Sequence, residues 1–243
     1  TIQIDMTKKY TLIKGDMLEI LPLFEHDTFD ALITDPPYAS GGKTTQQRMQ
    51  NTGKKYTSIK AGNPLPNFEG DQKDQRSWML WMYHWLEDAR RIVKPGGVFA
   101  IFIDWRQYPA MSDALQWSGW NWRGVCVWDK KNSRPQTGRF RQQTEFILWG
   151  SNGNLDTNRE VPVLPGVYSY SNTTGRKRLH QTQKPLELMR DVIKFCEPGG
   201  LILDPFAGSG STLHAGALDG YRVVGIEKTQ DYFNIAKARL EMH

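Results

Sequence analysis

Two short stretches hold the residue types that do chemistry. In ALITDPPY, Ala31 to Tyr38, an apolar run suited to a buried strand ends in a carboxylate, two prolines and an aromatic ring. In LDPFAGSGST, Leu203 to Thr212, a second apolar run enters a glycine-rich turn and then a helix. Gly208 and Gly210 let the backbone turn tightly and approach a ligand. Backbone N–H groups at the start of the helix can then face that ligand. The strand after the helix ends in Glu227, an acid suited to ribose hydroxyls. This layout points to an adenosine-containing cofactor. A phosphate-cradling loop needs a lysine after its last glycine, and here Gly210 is followed by Ser211 and Thr212. The third glycine of the dinucleotide fingerprint is absent as well, so the ligand is not expected to be held by its phosphates. Asp16 closes the first strand; it is either an acceptor for an adenine amino group or the cap of a helix from Met17 onward.

The elements that must position these residues alternate along the chain. YTLIKGD (Tyr10 to Asp16) reads as a strand, and DMLEILPLF as a short helix with Leu18, Leu21 and Leu23 available for burial. FDALITD is the next strand. A helical pattern runs from about Ser77, a plausible cap, to Val93, and KPGG ends it. VFAIFID is nearly all apolar, as a parallel sheet covered on both faces requires. A helix from about Pro109 to Trp117 leads to WRGVCVWD and TEFILWG, strands at one sheet edge. PLELMRDVIKFC is a helix with Pro185 in its first turn, and the strands GGLILD and YRVVGIE with the helices TLHAGALDG and DYFNIAKARLEM complete the series. The alternation predicts a doubly wound, mostly parallel α/β sheet. The last helix follows a strand, and no helix precedes the first strand. Joining the end to the start completes the pattern, so the sheet order reads as circularly permuted, with both termini near one edge. Trp78, Trp81 and Trp85 recur at helical spacing and read as core or subunit interface.

The chain has 243 residues and a formal net charge of +5, a modest indication of a polyanionic partner. Cys126 and Cys196 make no disulfide framework, and the five histidines form no metal-ligand spacing with them, so no metal is expected. No apolar run approaches the roughly 20 residues of a membrane span, and the polar N-terminus does not read as a signal peptide. The expected setting is reducing and cytoplasmic.

DPPY at one strand end and DPFAGSG at another resemble the amino-methylating DNA methyltransferases that use S-adenosylmethionine. The tetrapeptide comes first and the glycine loop about 170 residues later, an order similar to that of the beta group, in which the cofactor half lies C-terminal. LIKGD, VKPGGVFAIFID, VWDK, TEFILWG and QKP resemble family segments too. The resemblance implies one Rossmann-like methyltransferase domain over residues 1–243, with an antiparallel edge strand and a cofactor-binding half over 181–243. It implies methyl transfer to the N6 amino group of a flipped-out adenine in double-stranded DNA. Asp35, Pro36, Pro37 and Tyr38 are the implied catalytic group: the Asp35 carboxylate and the Pro36 carbonyl accept the two amino hydrogens, and Tyr38 stacks on the base. The cofactor is implied to lie against Asp204, Pro205, Phe206, Gly208, Ser209, Gly210, Thr212 and Glu227, with Asp16, Met17 and Asp35 beside it. Lys184 and Pro185 are implied to close over its methionine part. Lys184 pairs with the cofactor carboxylate or is simply a solvated lysine before a helix.

Two segments break the rhythm of the fold. Residues 39–76 carry Lys43, Arg48, Lys54, Lys55 and Lys60 with no acid before Lys60, a basic lid for DNA phosphates. Residues 151–180 stand where a short target-recognition segment is expected, and Asn172, Arg176 and Arg178 can read base edges. Arg134, Arg139 and Arg141 form a further basic cluster. A homodimer is expected; nothing points to a restriction endonuclease partner. Cytosine-N4 methylation is the nearest alternative, although those relatives more often carry Ser where Asp35 stands. Cytosine-C5 methylation needs a nucleophilic cysteine, commonly after proline, and Cys126 follows Val125 while Cys196 follows Phe195. RNA and protein-glutamine methylating relatives usually carry the cofactor loop first. A catalytically silent DNA-binding module is a remote reading.

Overall fold

The apolar runs become strands whose residues alternate between two cores. A computed structural model describes residues 1–39, 75–173 and 183–242. In chain order the elements are β1 (Tyr10–Lys14), α1 (Met17–Ile20), β2 (Phe29–Thr34), α2 (Gln75–Ile92), β3 (Val93–Ile103), α3 (Tyr108–Trp117), β4 (Asn121–Asp129), β5 (Thr144–Ser151), β6 (Val167–Ser169), α4 (Leu186–Val192), β7 (Leu201–Asp204), α5 (Ser211–Asp219), β8 (Arg222–Glu227) and α6 (Gln230–Glu241). The sheet order is β1-β8-β7-β2-β3-β5-β4-β6. In β3, Phe99, Ile101 and Ile103 face one core with α2 and α3, while Val98, Ala100 and Phe102 face the other with α4 and α5. The period of two puts successive side chains on opposite faces, so a strand covered on both sides must be apolar throughout.

The permuted order is present: β1 pairs in parallel with β8, and α6 packs on β1. The antiparallel strand is displaced from the edge where it was expected. β5 runs antiparallel to both β3 and β4, and β4 is followed outward by β6, which pairs with it in parallel. The polar composition around Val167–Ser169 conceals β6, an edge strand whose middle residue alone is buried.

Several boundaries differ from expectation for local reasons. α2 begins by Gln75, so Ser77 lies within the helix and is not its cap. Its carbonyl end is closed from a distance: Asn152 Nδ2 donates to Arg90 O at 3.1 Å and to Val93 O at 2.8 Å. With those carbonyls satisfied, the chain passes directly into β3, which includes Lys94–Gly97. α1 is a single turn that tightens through Pro22, so Met17, Leu21 and Phe24 are buried while Leu18 and Leu23 stay exposed. Pro185 sits at the N-cap of α4, one place before its first turn. Trp78 and Trp85 are fully buried core residues.

Helix α5 lies close on β8 because Gly216 has no side chain; a Cβ there would stand 2.2 Å from Val223 Cγ2. Gly216→Ala would gain about 1 kcal/mol of helix propensity, against an overpacking cost of roughly 1–3 kcal/mol or more. Urea denaturation is expected to find the variant less stable than the wild type; a stabilised variant would refute this close packing.

Candidate active site

All parallel strands end at one edge of the sheet, and the site is built there. β2 and β7 are neighbours, so the tetrapeptide and the glycine loop leave the edge side by side. Thr34, the last residue of β2, donates its hydroxyl to Asp204 Oδ1 at 2.6 Å. The same oxygen accepts from Phe206 N–H at 3.0 Å, and Thr212 adds a side-chain hydrogen bond. Asp204 therefore pins the start of the loop. Burial pushes its carboxyl up to about 6, against the opposing pull of those hydrogen bonds.

Gly210 adopts φ +80°, a region L side chains rarely enter, and hands the chain to α5. Glu227, at the end of β8, accepts from Gly208 N–H at 2.8 Å through Oε2 and from Thr229 N–H at 2.7 Å through Oε1. Burial raises its carboxyl to about 6, with the two backbone bonds opposing. Ser209 in the loop and Thr212 in the first turn of α5 are buried, and Phe206 packs at 5.4 Å from Trp81 and 5.2 Å from Trp85. This edge is rich in acceptors whose ionised forms lack full compensation. It suits a ligand bringing hydroxyl donors and positive charge, as the ribose and the cationic methionine end of S-adenosylmethionine do.

Asp16 carries the cap reading: Oδ1 accepts from Leu18 N–H at 3.0 Å, and Oδ2 pairs with Lys228 at 3.2 Å. Met17 is core. Asp16 nevertheless stands one strand from Glu227, because Lys14 and Glu227 are register partners.

The tetrapeptide is held from two sides. Trp78 Nε1 donates to Pro37 O at 2.7 Å, so the helix behind it fixes the second proline. Tyr38 donates its hydroxyl to Asp35 Oδ1 at 2.5 Å. Lys184 is not the solvated lysine of the alternative reading: it is buried, its ammonium lies 2.9 Å from Asp35 Oδ2 and 3.0 Å from Glu145 Oε2, and it donates to the Tyr38 hydroxyl at 2.9 Å. The ammonium also stands 5.0 Å from the Tyr38 ring centroid. Lys130 holds the other Glu145 oxygen at 3.1 Å.

Burial opposes the charge on Lys184, yet Asp35 and Glu145 together hold its ammonium above the ordinary lysine value. Burial likewise opposes ionisation of Glu145, and Lys184 and Lys130 outweigh it, so Glu145 is held below the usual range. For Asp35 burial wins: its carboxyl is raised although Lys184 pulls the other way, and Glu145 adds to the rise.

Glu145 and Lys130 were not among the expected site residues. Glu145 opens an apolar strand, and because β5 is antiparallel its beginning lies at the edge where the other strands end. An acid at the head of an otherwise apolar run was the available signal, and it becomes legible only once the strand direction is known.

Of the expected DNA contacts, Arg134, Arg139 and Arg141 are exposed on the loop between β4 and β5, with Phe140 at 97% exposure among them. Lys130 N–H donates to Gln143 O at 2.7 Å and ties the base of that loop. Lys43, Arg48, Lys54, Lys55, Arg176 and Arg178 lie outside the described residues. Asn172 is joined to this loop through its backbone: Asn132 Oδ1 accepts its N–H at 2.7 Å, and Asn132 Nδ2 donates to its carbonyl at 3.2 Å. Residues 155–168 wall a cavity of about 410 Å³ with β4, β5 and Phe195, so this part of the 151–180 segment packs on the sheet.

Residues 29–238 match the family of N6/N4 methyltransferases described as DNA methylase. The chain belongs to this family: it is a DNA methyltransferase that uses S-adenosylmethionine. It is similar to the type II methyltransferase M2.MboI of Moraxella bovis, with 26% identity over 96% of this chain and 88% of that protein. The type II methyltransferase M2.DpnII of Streptococcus pneumoniae is 28% identical over 97% of this chain and 93% of its own length. Among solved structures, M1.HpyAVI in complex with S-adenosylmethionine superposes with a TM-score of 0.69 and 25% identity, covering 95% of this chain and 98% of that one. Among the described residues no helix is long and apolar enough to cross a membrane.

The raised Glu227 carboxyl gives a test in the ligand-free protein. Its folded-state value of about 6 lies above the ordinary 4.5, so the folded state binds the extra proton and stability falls as pH rises through this window. Glu227→Gln removes that loss. Urea denaturation is expected to show the variant gaining roughly 2 kcal/mol on the wild type between pH 4 and pH 7. A pH-independent difference would mean the carboxyl is not held up by burial.

Proposed function

We propose that this methyltransferase acts on the N6 amino group of an adenine turned out of double-stranded DNA, with Asp35 as the acceptor for that amino group. The observation that carries this reading is the adjacency of the two motifs: Thr34 bonds Asp204 across 170 residues of chain, so acceptor and cofactor loop share one edge. When bound, S-adenosylmethionine supplies a methyl group on a positively charged sulfur. Asp204, Phe206, Gly208, Gly210, Thr212 and Glu227 would hold it, with Pro205 and Ser209 shaping the turn.

The residues of the tetrapeptide do the rest. An exocyclic amino group is a poor nucleophile because its lone pair is delocalised into the ring. Asp35 and the Pro36 carbonyl, accepting its two hydrogens, favour a more tetrahedral nitrogen with a freer lone pair. Proline holds φ fixed, so these acceptors need little reorganisation. The nitrogen loses one proton overall, and Asp35 is the nearest base to receive it. A duplex base reaches Asp35 only after extrusion, and the Tyr38 ring offsets part of the unstacking cost of a few kcal/mol.

We assign the exposed arginines between β4 and β5 to DNA phosphates, supported by their place in the loop that leads into β5, whose second residue is Glu145. The basic stretch between Ala39, which is core, and α2, which takes Gln75 and Arg76, serves as a lid, and target reading within 151–180 falls to its end after β6, because the earlier part packs on the sheet. The chain works as one methyltransferase domain in the cytoplasm. Exposed Leu80 on α2 and Trp117 on α3 support a homodimer.

Methylation of unmethylated DNA with labelled cofactor, followed by digestion, is expected to yield N6-methyladenine; N4-methylcytosine would overturn the adenine assignment. Asp35→Asn is expected to lower the methyl-transfer rate about 1,000-fold with cofactor binding retained in calorimetry. A fully active variant would remove Asp35 from the acceptor role. Replacing Arg139 and Arg141 by Gln is expected to reduce the slope of log affinity against log salt by about 0.9 for every phosphate no longer neutralised. An unchanged slope would take this loop off the DNA.

A further inference from the structure

Both oxygens of the Asp35 carboxylate already have partners within the chain. Tyr38 donates to Oδ1 at 2.5 Å, and Lys184 lies 2.9 Å from Oδ2. An arriving amino group shares the carboxylate with these donors, and an ammonium held against Oδ2 leaves that oxygen the least charge to offer it. Both donors have Glu145 Oε2 as a second acceptor, 3.2 Å from the Tyr38 hydroxyl and 3.0 Å from the Lys184 ammonium, and Lys184 is the one whose full charge competes for Oδ2. Water offers it no alternative: the Lys184 side chain is only 4% exposed and is boxed by Phe102 and Trp128, with ring centroids at 5.3 and 5.7 Å. A buried ammonium released from one carboxylate needs another anion in place. Glu145 is fixed for that purpose, since Lys130 holds its Oε1 at 3.1 Å.

We propose that Glu145, backed by Lys130, is a positioning residue that takes over Lys184 when the target amino group reaches Asp35 Oδ2. This rests on the reading of Asp35 as the acceptor. Lys184 keeps its proton and moves only from a shared position to one favouring Glu145. It stays close enough to keep the part-buried Asp35 ionised while leaving Oδ2 free to accept. Without Glu145, Asp35 is the one anion paired with Lys184 among the described residues, and the acceptor stays closed.

Glu145→Gln is expected to slow single-turnover methylation of unmethylated DNA roughly 100-fold, with the cofactor dissociation constant unchanged in calorimetry. Once the methylated position is mapped, a binding readout follows. Glu145→Gln should weaken binding of a duplex with adenine at that position, and leave unchanged a duplex carrying purine there, which has no amino group to seat. Lys130→Met, which loosens Glu145 without removing it, is expected to give a smaller loss in the same direction; it serves if Glu145→Gln fails to fold in a urea titration. A Glu145→Gln enzyme with the wild-type rate, or one that loses as much affinity for the purine duplex as for the adenine duplex, overturns the proposal. The two readings fail separately. An active Asp35→Asn enzyme sinks the acceptor assignment, whereas an inactive one beside a normal Glu145→Gln enzyme sinks only the role of Glu145.

Discussion

The pairing of β2 with β7 governs the catalytic edge. Parallel strands cannot be joined by a hairpin and need a crossover, and here the crossover comprises most of the chain. Ala31 pairs with Ile202 and Leu32 with Leu203, which brings Thr34 and Asp204 within a hydrogen bond. From that contact follow the side-by-side exit of the tetrapeptide and the glycine loop, and the common direction of Asp35 and Asp204. A shift of one residue in this register would turn the apolar faces of β2 or β7 into the wrong core. The two cores therefore set the geometry of the site without touching a ligand.

Concentrating acids at one sheet edge raises an electrostatic problem. Asp35, Asp204 and Glu227 all stand where strands end, and burial raises each of their carboxyls. The two halves of the edge meet this differently. On the glycine-loop side, backbone N–H groups and hydroxyls supply the compensation, and positive charge is left to come from outside. On the tetrapeptide side, Lys184 and Lys130 balance Asp35 and Glu145 internally. One side is thus prepared for a cationic ligand and the other for a neutral amino group.

The strand that reverses direction makes this division possible. Had β5 run parallel to its neighbours, Glu145 would lie at the opposite edge, and Lys184 would have Asp35 as its partner. The family's segment at TEFILWG therefore contributes more than sheet filling. It is the place where topology alters the chemistry of the site.

Much of the protein was legible in its residues. Alternating apolar strands and amphipathic helices required a doubly wound sheet, because strands hydrophobic on both faces must be covered on both sides. A helix after the last strand and none before the first pointed to a permuted order, and the missing lysine after Gly210 excluded phosphate-cradling chemistry. These features are local: each follows from side-chain type and spacing along a few residues. Tertiary structure decided what depends on strands meeting. The inward place of β5, the added edge strand β6, the cap that Asn152 brings to α2, and the capture of Lys184 by Asp35 and Glu145 all join residues far apart in the chain. No spacing encodes them, because hydrogen bonding and charge pairing depend on distance through space, which only the folded sheet sets.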